Sequence, residues 1–278
     1  VPVTGSETLP LAECDGRVLS ADLAAHLTQP PFDASAMDGY ALRSADAPEI
    51  GSVLTVIGQA AAGHAFTGTL GEGEAVRIFT GAPVPEGADT ILIQEDAEVL
   101  EGGKIRTTFE VTAGRHIRPR GQDFAQGETV LQAGRELGFT DLTLAAAMNH
   151  ATLAVYRKPR IAILATGDEL LPPGSTPNPA QIIASNTFGV AALARQAGAD
   201  ILDLGIIADD DTLIRAAIGK AVAAKVDVLV TLGGASVGDH DLVQAALKAE
   251  GMQLDFWRIA MRPGKPLMVG TIGTMQVL

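Results

Sequence analysis

The chain contains one cysteine, Cys14, so no intrachain disulfide framework can form, and a reducing, cytoplasmic setting is expected. Cys14 sits in an apolar-patterned stretch and reads as core packing rather than as a reactive thiol. Aromatic residues make up 4% of the sequence, with a single Trp, too few for the stacking platforms that hold single-stranded nucleic acid. Acidic residues outnumber basic ones 33 to 20, and the resulting net charge of −13 excludes a broad nucleic-acid surface. No apolar run reaches the roughly 18–20 residues of a membrane helix, and no signal peptide is visible, so no membrane is expected as a partner. The five histidines are scattered, which disfavours a zinc centre. There is no G-x-x-x-x-G-K-[ST] loop for P-loop phosphoryl transfer, and no G-x-S-x-G elbow with triad partners.

What is present is a turn-rich globular chain of 278 residues, 47% hydrophobic with 31 Gly and 15 Pro, long enough for two or three domains. Residues 6–24 carry Leu9, Leu11, Ala12, Val18, Leu19 and Leu23 and read as a helix followed by a short turn. Pro30 and Pro31 then force extended backbone. In Ser35-Ala36-Met37-Asp38-Gly39-Tyr40, small residues crowd one carboxylate, Asp38, which is either a functional group or a turn residue bonded to its own backbone. From about 53 to 129 the pattern is short strands between turns, at 54–57, 75–79, 90–93 and 104–106, as in a small inserted β domain. Thr80-Gly81-Ala82-Pro83 follows one of them, a loop for holding phosphate or an ordinary Pro-rich turn. Arg118 and Arg120 lie two apart, and on an extended segment they would share a face as an oxyanion clamp.

From Lys158 the chain alternates strand and helix, with strands at 160–165, 201–207 and 226–232 and helices at 188–197, 212–224 and 242–250. Repeated units of this kind predict a parallel sheet covered on both faces by helices, with ligands at the carboxyl ends of the strands. The loops there are Thr166-Gly167-Asp168-Glu169, Asp209-Asp210-Asp211 and the glycine-rich stretch 231–241, whose glycines admit a close ligand and whose following helix offers amides to an anion. Asp168, Glu169, Asp209, Asp210, Asp239 and Asp241 thus crowd one rim. Two unit charges ~4 Å apart repel by about 4 kcal/mol at an effective dielectric near 20. Either the carboxylates spread over a solvated rim, or they surround a hard cation such as Mg2+, completed by a substrate phosphate. Arg258, Arg262 and Lys265 supply the positive charge that these loops lack.

The segments PPFDASAMDGYA, TGAPVPEGADTI, IRPRGQD, TGDEL, GGASVGDHD and RPGKP occur in that order over nearly the whole chain. Together they resemble the molybdopterin molybdenumtransferase family, MoeA in bacteria and the E domain of gephyrin. The resemblance implies a multidomain α/β and β fold. Residues 1–43 with 124–157 would form an elongated linking domain, 44–123 an inserted all-β domain, and 158–278 a three-layer, MogA-like α/β domain with a parallel-rich sheet. It also implies a role in molybdenum cofactor biosynthesis, in which adenylylated molybdopterin is hydrolysed to AMP, with Mg2+, as molybdate is loaded. A homodimer with the site shared between subunits, and a MogA-type adenylyltransferase as partner, belong to the same expectation.

Carried over by position, Asp38, Thr80, Asp123, Glu169 and Asp241 would be catalytic. Arg118, Asp168, Ser185, Gly233, Gly234, Ser236, Arg258, Arg262 and Lys265 would bind substrate, and Glu169, Asp210 and Asp241 would hold the metal. Arg258 and Arg262 stand where lysines are common in the family, which keeps the charge but changes the fork geometry. The family's Gly- and Pro-rich loop and final β domain do not follow Leu278, so a C-terminally truncated chain is expected. Two other readings compete. A non-catalytic, gephyrin-like binding or scaffold protein would not need Asp38, Thr80, Glu169 and Asp241. A CinA-like nucleotide-processing enzyme would lack the inserted β domain.

Overall fold

Alternation of exposed and buried side chains along Val53–Ala60 marks a strand with one face in a core, the period-2 pattern that the sequence predicts there. The computed structural model describes residues 5–233, 242–262 and 265–278. Their contacts divide the chain into two units. One comprises Pro10–Asp15 and Ala21–Leu153; the other comprises Gly16–Ser20 and Ala154–Leu278 with the start of the chain up to Leu9.

The first unit is built on a six-stranded sheet in the order Thr90–Ile93, Gly39–Leu42, Glu74–Ile78, Val53–Ala60, Lys104–Thr107, Ala97–Leu100. Gly39–Leu42 runs antiparallel to both of its neighbours and is buried along its whole length. Its side chains feed two cores by alternation: Tyr40 and Leu42 join Leu54, Leu92 and Ile105, while Ala41 joins Val76, Ile78 and Ile91. The sequence reading finds four of these strands and misses Ala97–Leu100 and Gly39–Leu42. The latter looks like a turn because a glycine and an alanine flank its single aromatic.

Residues 6–24 are not a helix, contrary to the sequence expectation. They form a strand, Ser6–Pro10, a 3-10 turn, Leu11–Glu13, and a two-residue strand, Leu23–Ala24. Pro10 would cost a helix interior about 3 kcal/mol, and Gly16 turns the chain at φ 66°. The leucines that suggested a helix are instead spread over separate extended pieces, with Leu19 and Leu23 buried. Cys14 is a buried thiol that donates to the Pro10 carbonyl at 3.3 Å, as expected of a packing residue.

The second unit is the expected α/β arrangement. Its sheet runs Asp200–Ile207, Arg160–Thr166, Val228–Leu232, Met275–Val277, Met268–Ile272, Gln253–Trp257. The first four strands are parallel; Met268–Ile272 runs antiparallel to both of its neighbours, so the edge strand Gln253–Trp257 points the same way as the first four. Ala162, Leu164 and Leu229 pack against Ile214, Ala217 and Ile218 of helix Asp211–Ala223 and against Val243 and Leu247 of helix Leu242–Ala249. Ile163 and Ala165 alternate to the other face. Helix Asn186–Gln196 contacts the strands Arg160–Thr166 and Asp200–Ile207 without joining that core, which puts it on the opposite side. Among the described residues, no helix is long and apolar enough to cross a membrane.

At the amino ends of the parallel strands, the one charge of the strand entrance, Asp227, is tied down on both oxygens. Arg157 donates Nη1 to Oδ2 at 2.8 Å and Nη2 to Oδ1 at 2.5 Å, and the Arg160 backbone N–H reaches Oδ2 at 2.7 Å. The Arg157 guanidinium, and then the Arg160 amide, hold the Asp227 carboxyl below the ordinary aspartate range. Charge-assisted, partly buried bonds in a bidentate geometry contribute more than isolated surface pairs. Asp227→Asn is therefore expected to cost about 2 kcal/mol at pH 7. Because the folded pKa is depressed, this contribution is complete above the unfolded value of about 3.9 and disappears as pH falls through the folded value. Denaturant unfolding at pH 7 and pH 3 should show the gap between variant and wild type narrowing with acid; an equal gap at both would disprove the assignment.

Candidate functional site

The two units carry separate groups of the expected residues. In the first, Asp38 directly precedes the strand Gly39–Leu42, and Thr80 follows the strand Glu74–Ile78 by two positions. Antiparallel pairing of Gly39 with Ile78 brings them together across 42 positions of sequence. Thr80 donates both its backbone N–H and its hydroxyl to Asp38 Oδ1, each at 2.8 Å. Asp38 therefore does not bond its own backbone, the alternative open in the sequence. The Thr80 loop is held by reciprocal bonds to Ser35: Gly81 N–H to the Ser35 carbonyl at 2.8 Å, and Ser35 N–H to the Ala82 carbonyl at 2.9 Å. Gly39 must be glycine, because a Cβ there would collide with the Leu92 carbonyl.

The Thr80 amide, then its hydroxyl, and more weakly the charge of Arg77, hold the Asp38 carboxyl below the usual aspartate range. It is thus a carboxylate at neutral pH, with Oδ2 unclaimed by any hydrogen bond among the described residues. The Arg118–Arg120 clamp does not form. Arg120 folds back on the proline segment, its N–H on Asp33 Oδ1 at 2.7 Å and its Nε on the Pro31 carbonyl at 3.1 Å, while Arg118 stays exposed in a short strand paired with Ala34–Ser35. Asp123 has an exposed side chain, and its backbone N–H bonds the Gln29 carbonyl at 3.0 Å.

In the second unit, a cavity of about 390 Å³ opens at the carboxyl ends of the parallel strands. Glu169, Ser185 and Gly233 line it, together with Thr166, Asn186, Thr187 and Pro266. Gly233 has φ 100°, and a Cβ there would lie 2.5 Å from the Thr166 carbonyl oxygen, so only glycine lets the two strand ends approach. Thr166 closes an apolar strand and is 3% exposed, yet among the described residues its hydroxyl has no hydrogen-bond partner. Buried hydroxyls without a partner are rare, and Thr166 belongs to the lining of this cavity, which makes a bound ligand one candidate partner. Helix Asn186–Gln196 starts at the cavity, and the Ser185 hydroxyl makes no capping bond, so the amides of Asn186 and Thr187 and that hydroxyl remain available to an anion, the Phe188 N–H being bonded to the Ser185 carbonyl at 3.2 Å.

The acidic rim is more ordered than its charges suggest. Asp168 Oδ1 accepts the Asp209 N–H at 3.1 Å, and Asp210 caps helix Asp211–Ala223 by accepting the Leu213 N–H at 2.9 Å. Glu169 remains as the carboxylate of the cavity wall, exposed, its backbone carbonyl bonded to the Ile182 N–H at 2.8 Å. Arg258, Arg262 and Lys265 are exposed. The Arg258 guanidinium lies 4.2 Å from the Trp257 ring centroid, and its backbone, at φ 87°, bonds the Leu267 carbonyl at 2.9 Å. Among the described residues, no three His, Cys, Asp or Glu side chains gather as a metal site. Gly234, Ser236, Asp239 and Asp241 lie outside the described residues.

The structure therefore joins Asp38 to Thr80, and Glu169 to Ser185 and Gly233. Sequence reasoning missed Thr166, Arg77 and Gln94; a lone threonine ending an all-apolar strand was the available signal for the first. Thr166→Val keeps the side-chain shape and removes the orphan, so it is expected to raise stability by about 1 kcal/mol in ligand-free urea denaturation. A destabilised variant would mean that the hydroxyl has a partner in the folded protein.

Comparison with known proteins agrees with this division. Residues 1–149 match the family model described as MoeA N-terminal region (domain I and II), and residues 162–277 match the one described as probable molybdopterin binding domain. A molybdopterin molybdenumtransferase of Haemophilus influenzae is 36% identical over 269 residues, covering 97% of this chain and 66% of that protein. Molybdopterin molybdenumtransferase 2 of Mycobacterium tuberculosis is 37% identical over 276 residues, covering 95% and 67%. A crystal structure of a molybdopterin biosynthesis MoeA protein from Pyrococcus horikosii superposes with a TM-score of 0.86 at 33% identity, covering 98% of this chain and 69% of that one. The chain thus spans about two thirds of the length of these relatives.

Proposed function

The chain belongs to the molybdopterin molybdenumtransferase family, and on that premise we propose that its full-length protein loads molybdate onto adenylylated molybdopterin and releases AMP. The observation that carries this reading is the 390 Å³ cavity at the strand ends, lined by Thr166, whose buried hydroxyl has no partner among the described residues, by Glu169 and by the start of helix Asn186–Gln196. A heterocycle with an anionic tail needs those groups: apolar walls from Leu170, Ile183 and Leu232, a hydroxyl for a ring edge, and amides for phosphate.

In this reading Thr166, Gly233, Gly234 and Ser236 hold the pterin side. Ser185, Asp168, Arg118, Arg258, Arg262 and Lys265 orient the ligand and balance the charge of phosphate or molybdate oxygens. Glu169 and Asp241, with the second oxygen of Asp210, are oxygen donors of the type that Mg2+ takes, and Mg2+ would polarise the phosphate when bound. Asp210 already spends one oxygen on its helix cap, which makes Glu169 the better ligand. Asp38, kept ionised by Thr80, is suited to accept a proton from an attacking water, with Asp123 as a second acidic group. A homodimer, a MogA-type adenylyltransferase that supplies the adenylylated substrate, and a cytoplasmic location complete the proposal.

The test is AMP release by the full-length protein given adenylylated molybdopterin, molybdate and Mg2+. Asp38→Ala and Glu169→Ala are each expected to lower the rate by about 100-fold. Normal release in both variants would refute the site, and ligand binding with no release in the wild type would favour a non-catalytic binder.

A further inference from the structure

Arg77 is the least expected residue of the β unit. It stands directly opposite Tyr40 in the antiparallel ladder, and its guanidinium carbon lies 4.9 Å from the ring centroids of both Tyr40 and Phe79. Nη1 donates to the Gly39 carbonyl at 3.1 Å and Nη2 to Gln94 Oε1 at 2.7 Å. Gln94 in turn donates its backbone N–H to the Asp38 carbonyl at 3.0 Å and its side-chain amide to Glu95 at 3.3 Å. Every one of these contacts falls next to the Asp38–Thr80 pair: Gly39 follows Asp38, Phe79 precedes Thr80, and Gln94 holds the Asp38 backbone.

The hydrogen-bond acceptors of Arg77 are both neutral, and among the described residues it forms no ion pair. In a chain with 33 acidic residues, an arginine serving surface stability alone would have a carboxylate at hand. Here the planar fork is used for geometry, with two donors at fixed angles and aromatic rings against the guanidinium, which a lysine ammonium cannot reproduce.

We propose that Arg77 is the positioning residue of the Asp38–Thr80 pair, locking the ends of three strands so that the Thr80 amide and hydroxyl meet one carboxylate oxygen and the other stays free. This rests on the reading of Asp38 and Thr80 as a functional pair. Its test, however, does not depend on turnover.

The readouts are hydrogen exchange of the Thr80 amide and a carbon-13 carboxylate titration of Asp38, in this 278-residue chain. The variants are Arg77→Lys, Arg77→Gln and Gln94→Ala. The groups facing Asp38 are Thr80, Arg77 and, through Gln94, Glu95. Loss of the fork in either Arg77 variant is expected to speed Thr80 exchange by on the order of tenfold. Gln94→Ala, which removes one anchor, should move it in the same direction by less. Because the Thr80 bonds, more than the Arg77 charge, hold the Asp38 carboxyl down, both Arg77 variants should raise its pKa, and Arg77→Gln, which also removes the charge, should raise it further. Exchange in Val53–Ala60 should be unchanged, showing that the sheet is intact.

Wild-type Thr80 exchange in Arg77→Lys would overturn the proposal by reducing Arg77 to a charge. Unchanged exchange in all three variants would overturn it outright, and Gln94→Ala decides the matter if the Arg77 variants do not fold. In the full-length protein, Arg77→Lys should lower kcat with little change in KM. If Asp38→Ala left AMP release intact, the functional reading would fail while the exchange result stood.

Discussion

Both groups of candidate residues depend on a place where two backbones touch. At Gly39 a side chain would run into the Leu92 carbonyl, and at Gly233 into the Thr166 carbonyl. The first contact lets Gly39–Leu42 settle between two antiparallel neighbours, and that register alone carries Asp38 to Thr80. The second lets the strand ends of the α/β unit close up and form the wall of the cavity in which Thr166 and Glu169 stand. Backbone register is set before any of these side chains acts, so the chemistry inherits its geometry from ladders that it does not itself stabilise.

Electrostatics in this acidic chain follow the same logic. The sequence shows carboxylates crowded at strand ends, and repulsion between them invites a metal as the explanation. Much of that charge is instead matched to backbone amides. Asp22 accepts the Ala133 N–H, Asp46 that of Gly73, Asp89 that of Ser44, Asp141 that of Gly138 and Asp203 that of Gly205. Asp33, Asp38, Asp168, Asp210 and Asp227 do the same for other loops. Short aspartate side chains thereby satisfy amides that turns leave without a strand or helix partner. The acidic excess is in part the stitching of a loop-rich fold, and on the cavity wall Glu169 has no such bond among the described residues.

Legibility from sequence followed the range of the interaction. The α/β unit was readable because each strand and helix declares itself by local periodicity, and the ligand-binding edge follows from parallel connectivity alone. The β unit was readable where alternation is strong, as in Val53–Ala60, and failed at Gly39–Leu42, where burial on both faces erases the alternation. Residues 6–24 were misread because leucine spacing was weighed above Pro10 and Gly16. Asp38, Thr80, Glu169 and Gly233 were picked out as individuals through motif resemblance. That Asp38 meets Thr80 was not visible, since the register linking them is non-local. The Arg118–Arg120 pair failed for a related reason, because Asp33, 87 positions away, captures the Arg120 amide.

The glycine contacts also say something about how such a chain can change over generations. In each, one partner is a carbonyl oxygen, which every amino acid possesses. Position 92 can therefore drift without disturbing the approach, whereas position 39 cannot drift at all, and the same asymmetry separates 166 from 233 as far as this contact goes. As far as these contacts go, methods that find touching residues from paired substitutions would see an invariant glycine column with no matching change at its partner and register no link. Contacts of this glycine–carbonyl kind are thus ones that correlated mutation is blind to.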